Sequence, residues 1–302
     1  MVAHGLYGLP PRELVDTASD AVQVSPLIPG SEALDMLPDQ SLDSFTVLAP
    51  PGTVERRYVL AQGLRALKVG GTMTALAPKA KGGSRLAKEL KAFGLDVTED
   101  ARRHHRICEV VRTPALDLSD ALTAGAPRLS SELGLWTQPG VFSWDRIDPG
   151  TALLLRRLTP QSGAGADFGC GLGLLAHGVL RSPNVGRLTL IDIDRRAIAC
   201  ARRNVVDPRA DLVWADVRLG VPALSDLDFV VMNPPFHDGG AEDRALGATF
   251  IAQAAKVLRH GGKLWMVANR HLPYERPLAD SFGAKVKLLA EEGGYKLYEA
   301  RR

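Results

Sequence analysis

Cysteine is scarce in this chain: Cys108, Cys170 and Cys200 are the only three among 302 residues. They lie far apart, form no CxxC pair and are odd in number, which argues against a disulfide framework. Such usage suits a reducing, cytoplasmic setting. No apolar run approaches the roughly 20 residues that a membrane span needs, so no membrane partner is expected. The first residues carry no basic head followed by an apolar stretch, so no signal peptide is expected either. Neither sign of charge dominates, with 37 basic and 34 acidic residues giving a net +3. That balance neither requires nor excludes a nucleic acid; only local clustering speaks to it. With 45% hydrophobic and 24% charged residues the chain is globular, and its length suits two domains.

The C-terminal half shows the clearest pattern. Residues 164–168, 188–193, 212–215, 229–232 and 263–268 read as strands. Between them, 172–180, 195–204 and 242–258 read as helices. In the last, Leu246, Phe250, Ala254, Val257 and Leu258 recur at helical spacing, and Gly261-Gly262 is expected to stop the helix. Alternating strands and helices predict a parallel sheet covered on both faces. Two further strand-like runs, 285–290 and 295–299, flank Glu-Glu-Gly-Gly and predict a terminal hairpin.

The N-terminal half repeats part of this order. Val47-Leu48-Ala49-Pro50-Pro51-Gly52 echoes Val230 to Phe236, residues 60–71 echo 250–262, and 90–97 echo 278–286. Three matches in order at a nearly fixed offset predict a duplicated domain. The first copy has no glycine-rich loop and carries Ala49 where the second has Asn233. It is therefore expected to be a degenerate copy. The expected organisation is a degenerate domain over 1–113, a linker over 114–131 marked by Pro114, Gly125 and Pro127, and a catalytic domain over 132–302.

Chemistry concentrates in the second copy. Asp167-Phe168-Gly169-Cys170-Gly171-Leu172-Gly173 follows a strand and opens a helix. Glycines allow a tight turn and close ligand approach, and the helix start offers free N–H groups. A nicotinamide site would need G-x-G-x-x-G/A, but Leu174 stands at the last position. The G-x-G-x-G form after an acid resembles the first motif of class I S-adenosylmethionine methyltransferases. Asp192, with Ile193 after it, ends the next strand and is placed to accept ribose hydroxyls; Asp194 is the better helix cap. Asp216, with Val217, follows the third strand and could meet an adenine amino group.

Asn233-Pro234-Pro235-Phe236 ends the fourth strand. Two prolines cannot extend a central strand, so the chain turns out of the sheet there. The Asn233 side chain and the Pro234 carbonyl supply two acceptors for a planar NH2 group, and Phe236 supplies a stacking face. The N-P-P-[FY] pattern resembles the amine-binding motif of methyltransferases that act on base amines or glutamine amides.

Further segments carry a narrower resemblance: Pro139-Gly140-Val141-Phe142-Ser143, Asp148 to Leu155, His237-Asp238-Gly239 after the Asn-Pro-Pro-Phe motif, Val267 to Tyr274, and Tyr295 to Tyr298. Together they resemble the bacterial small-subunit rRNA guanine-N2 methyltransferase family, RsmC, over 131–302. Members of that family pair a degenerate N-terminal methyltransferase-like domain with an active C-terminal one. The resemblance implies an α/β fold of two tandem Rossmann-like domains, each on a mostly parallel sheet, seven-stranded and closed by an antiparallel hairpin in the catalytic copy. It also implies S-adenosylmethionine as cofactor, 16S rRNA or the assembled small subunit as partner, and no catalytic metal. The glycine loop, Asp192, Asp216 and the Asn233–Phe236 segment carry over as site residues. Phe142 and Ser143 are expected to line the pocket, with His237 and Asp238 beside the target.

Basic residues cluster at 79–106, where Lys79, Lys81, Arg85, Arg102 and Arg103 are among eight cations against four acids. Such a patch could hold RNA phosphates, or be a solvated helix face. A monomer is expected, since one chain holds both copies. Two other readings of the whole remain: an N-methyltransferase with another amine target, such as adenine N6 or a release-factor glutamine, and an inactive ribosome-binding module.

Overall fold

The computed structural model describes residues 3–221, 223–235, 237–238, 241–242 and 244–302. The chain divides into two compact units, Met1–Pro127 with Gln138–Gly140, and Arg128–Thr137 with Val141–Arg302. Among the described residues no helix is long and apolar enough to cross a membrane.

The N-terminal unit contains β1 (His4–Tyr7), β2 (Val22–Gln23), β3 (Leu42–Leu48), α1 (Thr53–Ala66), β4 (Leu67–Pro78), α2 (Gly83–Lys91), β5 (Thr98–Arg102), β6 (His105–Val111) and α3 (Ser119–Gly125). The C-terminal unit contains β7 (Arg128–Ser130), β8 (Leu135–Thr137), α4 (Pro149–Arg157), β9 (Gly163–Phe168), α5 (Leu174–Leu180), β10 (Val185–Asp192), α6 (Arg195–Asn204), β11 (Ala210–Trp214) and β12 (Leu227–Met232). It continues with β13 (His237–Asp238), β14 (Ala241–Glu242), α7 (Arg244–Val257), β15 (Leu258–Asn269), α8 (Glu275–Phe282), β16 (Val286–Glu292) and β17 (Tyr295–Arg301).

The C-terminal sheet has the order β11-β10-β9-β12-β15-β17-β16. Its first five strands are parallel and β17 and β16 run antiparallel. Both faces are covered, which is why these strands are apolar without alternation. Phe229 and Val231 pack on one face with Leu153 and Leu154 of α4, Leu175 of α5 and Ile198 of α6. Val230 and Met232 pack on the other with Phe250 and Ala254 of α7 and Leu278 of α8. The chain reverses its direction of sheet growth between β9 and β12, so their carboxyl ends border the crevice where ligands of open α/β sheets bind.

The N-terminal sheet, β2-β1-β3-β4-β6-β5, repeats that order without its first strand. Asp43 accepts from Ala3 N at 2.7 Å and Lys68 Nζ at 2.8 Å. Asp228 does the same for Ala164 N at 2.8 Å and Arg259 Nε at 2.7 Å. Gly5 lies against the Phe45 ring as Gly165 lies against Phe229. The register also slips at the same place, between Leu42 and Ser44 and between Leu227 and Phe229. These shared details make the two units copies of one fold. Yet the described residues between β1 and β2 hold no helix, and nothing matches β11. The N-terminal copy is degenerate because the elements that build a cofactor edge are missing.

Two expectations need correction. The stretch 114–131 is not an extended linker. It holds α3, whose Ala121 is buried in the N-terminal core with Leu118 and Leu122 packed against it, and β7, which pairs with β8. Small residues read as flexible there because Ala121 and Gly125 are small in order to approach the α1 helix; a side chain at Gly125 would overlap Tyr58. The Gly261-Gly262 pair does not end a helix either. Helix α7 stops at Val257 and the pair lies inside β15, at its register slip. Gly261 has φ +81°, and a Cβ on Gly262 would stand 2.8 Å from Leu227 O.

Candidate active site

The loop after β9 is built by backbone geometry. Gly169, Gly171 and Gly173 have φ of +77°, +52° and +85°, the left-handed region that disfavours other residues. Gly173 is also the residue before α5. A Cβ on Gly171 would meet nothing within 4 Å, so open space lies above the loop. Cys170 is buried within it, and burial pushes its thiol well above the ordinary range.

Asp192 ties the next strand to this loop. Its Oδ2 accepts from Gly171 N and its Oδ1 from Asp194 N, both at 2.8 Å. Burial raises its pKa to about 6, against the pull of those N–H groups. Asp194 caps α6 by accepting from Arg196 N at 2.9 Å. The Ile193 carbonyl accepts from Trp214 Nε1 at 2.8 Å and joins the ends of β10 and β11. Asp216 follows β11. It caps the turn beginning at Val217, accepting from Arg218 N at 2.9 Å, and its carboxylate pairs with the Arg218 guanidinium at 2.7 Å. Val217 is buried beneath.

Asp167, the acid before the loop, is fully buried, and neither carboxylate oxygen has a hydrogen-bond partner. Burial, with Asp192 nearby, raises its pKa to about 8. A buried acid without a partner keeps its proton, and a cation brought beside it would favour the charged form.

Asn233 and Pro234 follow β12 on the other side of the same crevice. The Asn233 carbonyl and the Pro235 ring come within about 4 Å of where a Gly169 side chain would start. A cavity is lined by Phe142, Ser143, Gly169, Cys170, Gly171 and Asn233, together with Asp148, Thr151 and Leu172. Phe142 is 54% exposed, and Ser143 has φ +50°. Phe236 lies outside the described residues, as do the side chains of His237 and Asp238, whose backbone forms β13. Asp148, Thr151 and Tyr295 stood in the sequence only within segments of family resemblance and were not expected at the site. Asp-Pro-Gly-Thr does read as a helix start, with a capping acid and proline at the first position, but nothing local links it to Asn233.

In the N-terminal unit the matching turn, Ala49-Pro50-Pro51, is filled. Arg56 is fully buried and donates from Nη1 to the carbonyls of Pro50 at 3.1 Å and Pro51 at 2.7 Å. Its Nε and Nη2 reach Glu89 at 2.7 and 2.6 Å. A guanidinium thus sits on the carbonyls of the turn that corresponds to the candidate amine site. The basic patch is real but partly neutralised. Lys79 and Arg85 are exposed, and Lys79 N donates to His104 O at 2.8 Å, joining the end of β4 to the β5–β6 tip. Arg102 pairs with Asp100 and Arg103 with Glu13, and Lys81 is half-buried.

The strand order, the glycine loop and the Asn-Pro-Pro turn together define a class I methyltransferase. Residues 132–299 match the family model of the methyltransferase small domain. The ribosomal RNA small subunit methyltransferase C of Pseudomonas aeruginosa (strain LESB58) is 33% identical over 94% of this chain and 87% of its own length. That of Shewanella pealeana is 33% identical over 86% of this chain and 77% of its own. The chain belongs to the ribosomal RNA small subunit methyltransferase C family. A solved structure of the T. thermophilus 16S rRNA N2 G1207 methyltransferase with AdoMet and guanosine has the same fold. Its TM-score is 0.79 at 22% identity, covering 100% of this chain and 88% of that one.

The residues present fit S-adenosylmethionine. The buried orphan acid Asp167 suits a ligand with cationic ammonium and sulfonium groups, and the bare loop leaves room for it. This yields a pH prediction. A carboxyl raised from 3.8 to about 8 by folding holds its proton better in the folded state. The stability it contributes is present in full below pH 4 and is lost as pH rises through about 8. Thermal unfolding of the ligand-free protein should fall in Tm across that window, with a flatter slope in Asp167→Asn. Cofactor affinity should run the other way, rising from pH 6 to 7.5, because a cation favours the carboxylate. Calorimetry in buffers of different ionisation heat should detect the released proton, and its persistence in Asp167→Asn would remove Asp167 from the site.

Proposed function

We propose that this chain transfers a methyl group from S-adenosylmethionine to the exocyclic N2 of a guanine in small-subunit (16S) rRNA. The observation that carries the reading is the meeting of the glycine loop, Asp192 and the Asn233-Pro234 turn at one sheet crevice, in a chain of this family. When bound, the cofactor supplies an activated methyl on a sulfonium, so the protein needs no nucleophile of its own. Asp192 accepts from the ribose, and Asp216 with Val217 borders the adenine. Asn233 and the Pro234 carbonyl accept the two hydrogens of the target amine and aim its lone pair. The base reaches them by leaving its stack, with Phe142 offering a face to it. Charge grows on nitrogen in the transition state, which strengthens both hydrogen bonds. The enzyme acts as a cytoplasmic monomer.

The N-terminal unit positions the RNA through phosphate contacts at Lys79, Lys81, Arg85, Arg102 and Arg103. Lys79→Glu with Arg85→Glu should raise KM for RNA and leave kcat unchanged. The salt slope of binding should fall by about 0.7 per lost contact. An unchanged slope would show that the patch is a solvated face.

The reading is tested by transfer of labelled methyl to naked 16S rRNA and to assembled small subunits. Label in either is the expected result, and the better acceptor identifies what the N-terminal unit recognises. Failure of both, with cofactor bound, overturns the rRNA target.

A further inference from the structure

The cavity beside the glycine loop holds a polar chain that joins three distant elements. Asp148 precedes α4 and is buried, at 8% exposure. Its Oδ2 accepts from Thr151 N at 2.8 Å and from Asn233 Nδ2 at 2.8 Å. Its Oδ1 accepts from the Tyr295 hydroxyl of β17 at 3.3 Å. Asn233 Nδ2 also donates to Thr151 Oγ1 at 3.0 Å. Gly150 makes room for this arrangement, because a Cβ there would stand 2.6 Å from the Tyr295 ring.

We propose that Asp148 is a positioning residue for the methyl acceptor: it fixes which end of the Asn233 amide faces the substrate. An ionised carboxylate only accepts, so only the NH2 end of Asn233 can face it. Thr151 Oγ1 takes the second amide hydrogen. With both hydrogens held by the protein, Asn233 meets a ligand only as an acceptor through Oδ1. An amine donor needs that orientation, and an amide turned by 180° would present hydrogens to hydrogens. Tyr295 holds the far side of the carboxylate and keeps Oδ2 turned to Asn233. A plain helix cap would need only the bond to Thr151 N, which asparagine makes as well as aspartate.

The proposal rests on Asn233 as the amine acceptor, and Asp148→Asn tests it. This change keeps a cap acceptor but brings an NH2 group against Asn233, so the amide turns over. The expected result is a fall in kcat of about 100-fold, of the size seen when one preorganised transition-state partner is lost. The KM for RNA and the Kd for S-adenosylmethionine should shift less than about threefold, and Tm by only a few degrees. Asp148→Asn added to Asn233→Ala should cost nothing more, because both act through one amide.

Three results would overturn the proposal while sparing the functional reading. One is normal kcat in Asp148→Asn beside an inactive Asn233→Ala. Another is weakened cofactor binding with normal kcat at saturation, which would make Asp148 a cofactor ligand. The third is a large drop in Tm with losses that multiply in the double variant, which would make it a cap alone. An active Asn233→Ala would instead sink the reading itself, and the proposal with it. Should Asp148→Asn fail to fold, Thr151→Val and Tyr295→Phe each remove one bond and keep the cap. A kcat loss of about three- to tenfold in each supports the proposal, and normal kcat in both overturns it.

Discussion

Asn233→Ala is expected to lower kcat by about 10²- to 10³-fold, the cost of losing one preorganised transition-state partner. The substitution removes an acceptor whose hydrogen bond tightens as charge develops on the attacking nitrogen. It leaves the glycine loop, Asp167 and Asp192 untouched, so the Kd for S-adenosylmethionine should change less than about threefold. The KM for RNA should barely move, because binding of a long RNA is dominated by phosphate contacts. Single-turnover transfer under saturating cofactor, with a parallel cofactor titration, separates the two effects. A variant that keeps most of its activity would remove Asn233 from the chemistry. The N-terminal copy carries this change already, as Ala49.

Arg56→Met is expected to destabilise the N-terminal unit by about 3–5 kcal/mol, the cost of breaking a buried ion pair from one side. Glu89 is 8% exposed and would be left with its charge buried and unpaired, and the carbonyls of Pro50 and Pro51 would lose their shared donor. Arg56→Met with Glu89→Met should recover part of the loss, since the stranded charge is gone while the two carbonyls stay unsatisfied. Urea unfolding followed by two probes reads this directly. All four tryptophans, Trp136, Trp144, Trp214 and Trp265, belong to the C-terminal unit. Circular dichroism should therefore shift to lower urea more than tryptophan fluorescence does. An unshifted circular dichroism midpoint would mean that the ion pair contributes nothing.

Both expectations turn on residues whose surroundings were unequally visible in the sequence. Helix α6 was legible at both ends, because Asp194 caps it and apolar residues recur along it. The parallel C-terminal sheet with helices on both faces followed from the alternation of apolar runs and helices, and the duplication from three ordered echoes. Gly261-Gly262 misled because a helix stop and a strand bulge both use a left-handed glycine; only the partner strand tells them apart. Residues 114–131 misled because small side chains signal either flexibility or close helix packing. Asn233 was legible from its two prolines. Asp148 was not, since the bond between them spans 85 residues and leaves no local pattern. Nothing in the local sequence marks Arg56 as buried, and its burial depends on Gly82, with φ +99°, which leaves the guanidinium its space.

The central claim is that the crevice between β9 and β12 methylates a guanine amine, and nucleoside analysis of the labelled product tests it most directly. RNA from the transfer reaction would be digested and its labelled nucleoside identified by mass spectrometry. N2-methylguanosine from a single site of the small-subunit RNA, lost in Asn233→Ala, is the expected product. Label in N6-methyladenosine, in a ring carbon or in protein would contradict it.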